Sequence, residues 1–88
     1  MKLNQPQGDP QTEFVLYGRG WPPGTPVTIT WVGVGVAADK PVTDRAGSFN
    51  HVLNQAREFF PGTLPVGTHV LQVTGAGRQF RTEFRVDP

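Results

Sequence analysis

The chain of 88 residues has no cysteine, so it can build no disulfide framework, no thiolate metal site and no cysteine nucleophile. Its stability must come from packing alone. It has no apolar run approaching the length of a membrane-crossing helix, which excludes membrane insertion by a helix. It has no excess charge of either sign: 8 Lys and Arg face 7 Asp and Glu, for a net charge of +1. A nucleic-acid partner usually demands a clear basic surplus, so that class is set aside. Serine is almost absent, Ser48 being the sole one, and no acceptor sequence for N-glycosylation occurs. The opening Met-Lys-Leu-Asn-Gln-Pro-Gln-Gly-Asp-Pro has no apolar core of a signal peptide. Two expectations follow: a protein made and used without classical secretion, or a domain cut from a longer exported chain.

What is present is punctuation and alternation. With 11 Gly and 9 Pro, about a fifth of the chain is turn-forming, below the range of low-complexity disorder. Six Phe, two Trp and one Tyr supply bulk for a small core. A chain this short buries only about 60–65% of its unfolded surface, so that core must be dense. Length sets one domain. Residues 1–12 are polar and carry Pro6, Gly8 and Pro10; they read as an extended N-terminal arm outside a folded unit of residues 13–88.

The centre of organisation is Tyr17 to Trp31, read as strand, corner, strand. Phe14 and Leu16 share one face of the first strand. Pro22, Pro23 and Gly24 make a corner that no ladder can cross. Val27, Ile29 and Trp31 then alternate with Thr28 and Thr30, the period of a half-buried strand. Val32-Gly-Val-Gly-Val36 continues that strand or bends out of it, since glycines weaken a strand interior. A further strand is expected over 37–43, held to an edge by Pro41. Asp44-Arg-Ala-Gly47 signals a tight turn, followed by a strand with Phe49, His51 and Leu53 on one face. Ala56-Arg-Glu-Phe-Phe60 suits one helical turn with a phenylalanine dipping back into the core. Two last strands, 68–74 and 79–86, flank Gly75-Ala-Gly77. Turn signals every ten residues or so, with no amphipathic helix, predict an all-β, antiparallel sandwich of six to eight strands. The predicted core is Phe14, Leu16, Trp21, Val27, Ile29, Trp31, Phe49, Leu53, Leu71, Val73, Phe80, Phe84 and Val86.

The ordered set Gly18-x-Gly20-Trp21-x-Pro23-Gly24-x-x-Val27-x-Ile29-x-Trp31, Asp44-x-x-Gly47-Ser-Phe49 and Val66-Gly67-Thr68-His69-Val70-Leu71 resembles bacterial immunoglobulin-like domains. Trp21 stands where that pattern has Phe, and Val66 where it has Pro. The resemblance covers about residues 13–86 and implies an immunoglobulin-like sandwich. It also implies the roles such modules fill, as repeat units of bacterial surface proteins and as modules of phage virions.

No catalytic site emerges. His51 and His69 both fall on inward faces, but no third ligand follows at metal-site spacing, and each reads as a partly buried imidazole bonded to backbone. Ser48 sits in a turn without a triad around it. The carboxylates are scattered; Asp39 and Asp44 are read as a loop charge and a turn residue. The expected surfaces are of another kind. Val32, Val34 and Val36 form an apolar candidate partner site. Arg81 and Arg85 give the last strand a basic outer face. Trp21 and Trp31 are expected to be buried, the alternative being a sugar-stacking platform. The expectation is therefore a non-enzymatic structural or adhesive module without cofactor, working in a larger assembly. Its concrete form is a phage head or tail decoration protein, located in the virion and contacting capsid or tail proteins. The alternatives are a spacer or adhesion domain of a cell-surface or secreted protein, touching neighbouring surface domains, and a carbohydrate-binding module with a glycan as partner.

Overall fold

The alternating stretches become strands in the computed structural model, which describes residues 1–88. Eight strands follow in order: β1 (Lys2–Leu3), β2 (Gln7–Gly8), β3 (Val15–Gly18), β4 (Thr28–Trp31), β5 (Gly35–Val36), β6 (Phe49–Val52), β7 (Gly67–Gly75) and β8 (Arg78–Val86). They form a three-stranded sheet, β1-β3-β6, and a five-stranded sheet, β2-β8-β7-β4-β5. The two inner faces pack into a sandwich. There is no α-helix, only a 3₁₀ turn at Gln55–Arg57.

Local chemistry explains the elements. β7 and β8 are joined by a two-residue loop, Ala76-Gly77, with φ of 50° and 73°. Positive φ at both positions gives the turn whose twist matches the strands. In β3, Gly18 pairs with Phe49 of β6, and the Phe49 ring lies where a side chain on Gly18 would be. The Asp44 turn forms as its sequence predicts. Asp44 Oδ1 accepts from the N–H groups of Ala46 and Ser48, at 2.9 and 3.0 Å, and Gly47 closes the turn at φ 74°.

Fourteen buried apolar residues make the core. Phe14 from one layer meets Phe84 from the other, ring centroids 4.4 Å apart. Trp31 anchors one end of the core, in edge contact with Phe59, Phe60, His69 and Phe84. Trp21 closes the other, edge-on to Phe49 and Phe80. Of the predicted core, all but Phe80 are buried; Ala37 and Leu64 join them.

Four expectations are corrected. Residues 1–12 are not an arm outside the core: β1 pairs with β3 and β2 with β8, one strand for each sheet. Met1 and Leu3 pack against the core. Asn4 splices this segment in, its Oδ1 accepting from Val15 N–H and its Nδ2 donating to Glu13 O. The sandwich is not wholly antiparallel, because β2 runs parallel to β8. Residues 37–43 form no strand, only the isolated bridge Pro26–Val42. Pro26 and Pro41 bring no N–H to a ladder. The buried hydroxyl of Thr43 instead accepts from Thr25 N–H at 2.8 Å and donates to Pro22 O at 2.7 Å. Phe80 is 40% exposed, because no strand lies beside that part of β8.

Candidate interaction surface

Directly paired residues of neighbouring strands share a face. The outer face of the five-stranded sheet can therefore be read row by row. One row crosses four strands as Val36, Thr30, Gln72 and Arg81. The next positions on β7 and β8 pair Val70 with Glu83 and Thr68 with Arg85. Gln7 of β2 lies beside Arg85. The face is thus threonine and glutamine in the middle, valine at the β5 edge and arginine toward β2.

Val32, Gly33 and Val34 are the tight turn between β4 and β5, closed by Val34 N–H donating to Trp31 O at 2.9 Å. Gly33 has φ 80°, so the run bends out of β4 rather than continuing it. Val32 and Val34 project from the turn and Val36 from β5, exposed by 40%, 44% and 55%. The structure brings these three together at one sheet edge. It places Arg81 and Arg85 on β8, with β7 and β4 between them and the valines. Arg81 Nε donates to Gln72 Oε1 at 3.0 Å, and Arg85 is ion-paired with Asp87 at 2.8 Å. The basic outer face is thereby partly neutralised.

The two histidines do not meet. His69, half-buried on β7, accepts at Nδ1 from the Trp31 indole N–H at 3.1 Å, and its Nε2 donates to Pro65 O at 2.8 Å. Both ring nitrogens are engaged in one neutral tautomer. His51, buried on β6, lies 3.8 Å from the exposed carboxylate of Asp39. Burial pulls its pKa below the ordinary 6.5, against the opposing pull of Asp39 and Glu58. Asp44 spends its carboxylate on its own turn. No cluster of three or more His, Cys, Asp or Glu forms. Trp21 and Trp31 are 4% and 1% exposed, so neither offers a ring face for stacking on a sugar.

One feature carried no sequence signal. A cleft of about 740 Å³ lies between residues 10–13 and the loops after β6, bordered by Glu13, Asn54, Arg57 and Thr63. Its rim holds Asn54, Ala56 and Arg57 at φ near 55°, a conformation unfavourable for residues with a side chain. Asn54 secures this loop. Its Oδ1 accepts from the N–H groups of Phe59 and Phe60, and its Nδ2 donates to Phe60 O. The result is to seat both phenylalanines on Trp31.

No protein-family model, curated protein or solved structure matches this chain.

Proposed function

We propose that the chain is a non-enzymatic structural or adhesive module of the immunoglobulin-like kind, acting through its surfaces within a larger assembly. The concrete form is a decoration protein of a phage head or tail. Two packed β-sheets and the Gly-Trp-Pro-Pro-Gly corner between β3 and β4 are consistent with that fold family. The observation that carries the reading is the valine edge. Val32, Val34 and Val36 stand exposed within five residues, where they add nothing to the core. Apolar side chains gathered at one exposed edge gain their free energy when a partner covers them. A rigid sandwich presenting such an edge suits docking onto a preformed protein surface.

The test is Val34→Lys. The side chain sits on a turn and is 44% exposed, so the variant should melt with the wild type. Purified phage particles, or capsid and tail proteins encoded beside this chain, are sedimented with each protein. The reading expects the wild type to co-sediment and Val34→Lys to remain largely in the supernatant. Equal co-sedimentation of both, or of neither, overturns it.

A further inference from the structure

We propose that the open edge of β8 pairs with the same edge of a second copy of this chain, antiparallel, about a two-fold axis at Thr82. This goes beyond the assembly reading and does not depend on the valine edge.

The backbone supplies the template. β8 is paired along its full length with β7 on one side. On the other side only Arg85 and Val86 have a neighbour, in β2. Arg85 N–H donates to Pro6 O and Asp87 N–H to Gly8 O, so odd-numbered positions of β8 face this side. N–H and C=O groups alternate along a strand, so those of Gln79, Arg81 and Glu83 point to the same edge, where no strand of this chain meets them. Phe80 lies at that margin, 40% exposed.

Charges on an edge commonly deter strand addition, but they do so between copies only when like meets like. Here the outer face of the edge alternates Gln79, Arg81, Glu83 and Arg85. A two-fold centred on Arg81 would oppose two arginines, and one centred on Glu83 two carboxylates. Centred on Thr82, Arg81 of each copy faces Glu83 of the other, and both residues exchange backbone hydrogen bonds. Directly opposed opposite charges favour a strand pair; like charges oppose it. The side chains are free for this role. Glu83 makes no ion pair within the chain, since the two close ion pairs present are His51–Asp39 and Arg85–Asp87. Arg81 uses only Nε for Gln72, leaving both terminal nitrogens to grip a carboxylate in the bidentate manner arginine favours. In the same register Phe80 lies opposite the second copy's Phe84, whose ring is buried in its own core, so the contact rests on the backbone bonds and the Arg81–Glu83 pairs rather than on apolar cover. β2 ends the pairing at Arg85, so the contact is a short one of the weak, transient class. It gains force where an assembly holds copies close together.

The test is sedimentation velocity over a concentration series for wild type, Arg81→Glu, Glu83→Arg and the double swap. Each single reversal sets two like-charged pairs in the symmetric contact. It should weaken dimerisation roughly ten-fold, and the swap should restore it. In parallel, hydrogen exchange on the wild type should show the Arg81 and Glu83 amides fast when dilute and protected when concentrated. A chain that stays monomeric throughout, a dimer indifferent to the single reversals, or a swap that fails to restore it overturns the proposal. If a reversal lowers the melting temperature, the amide exchange of the wild type decides alone: protection at Arg81 and Glu83 supports the edge, and its absence overturns it.

Discussion

The backbone carbonyl of Trp21 occupies the space that a side chain on Gly47 would need. Trp21 N–H donates in turn to Gly47 O at 3.3 Å, so the corner between β3 and β4 is locked onto the Asp44 turn. Gly47 also has φ 74°. Gly47→Ala therefore meets both a backbone clash and a left-handed conformation, and should cost about 2–4 kcal/mol in urea unfolding. Gly24 has φ 71° with nothing near its missing side chain, so Gly24→Ala should cost only about 1 kcal/mol. Equal losses would mean that the Trp21–Gly47 contact is not a constraint.

Trp21 carries a second tension. Its indole N–H is buried without a hydrogen-bond partner. Such a group costs about 1–3 kcal/mol, while its ring fills the space against Phe49 and Phe80. Trp21→Phe removes the unpaired donor and keeps an aromatic plug, so the two effects should cancel to within about 1 kcal/mol. Trp21→Ala should cost about 3–5 kcal/mol. Equal destabilisation by the two variants would show that the indole ring, in full, is required.

The face-setting alternations were legible because each side chain reports its own side. Phe49, His51 and Leu53 are buried as their spacing predicts, and Asp44 and Gly47 close the turn their types demand. Pairing between distant segments left no such mark. Lys2–Leu3 and Gln7–Gly8 are too short and polar to show a period, and the partner of Gln7 lies at the far end of the chain. Phe80 alternates inward correctly, but its exposure depends on which strand lies beside β8. The valines were legible as an apolar run. The row that joins Val36 to Thr30, Gln72 and Arg81 exists only once three strand registers are fixed.

The N-terminal segment should be part of the stability of the domain. Removing residues 1–8 takes away the backbone bonds from Asn4 to Val15 and from Arg85 and Asp87 to Pro6 and Gly8. It also removes the Asn4 side-chain bonds and the packing of Met1 and Leu3. At about 1 kcal/mol per bond, less the entropy returned to the freed chain, the deletion should cost about 2–4 kcal/mol. Urea unfolding of the truncated protein measures this, and an unchanged midpoint would return residues 1–8 to the status of a free arm.

At the β7–β8 loop the chain holds Ala76 at φ 50°. Asparagine tolerates this region better than alanine, and Asn-Gly is the preferred pair for such a loop. Ala76→Asn should stabilise the protein by about 0.5–1 kcal/mol. A lower melting temperature would argue against the positive φ at this position.

His51 should make the fold sensitive to mild acid. Its pKa is lowered from 6.5 by burial, with Asp39 and Glu58 pulling the other way. The unfolded chain therefore binds the proton first as pH falls. Stability from this residue is complete above the unfolded pKa, is lost as pH drops through it toward the folded value, and then levels off. The melting temperature should fall between about pH 7.5 and pH 5, before most carboxylates titrate. His51→Leu removes the titrating group and should flatten that slope. Asp39→Asn removes the nearest favourable charge, 3.8 Å away, and should steepen it by lowering the folded pKa further. A slope unchanged in both variants would assign the acid sensitivity to another group, and a shallower slope in Asp39→Asn would reverse the sign of the Asp39 contribution.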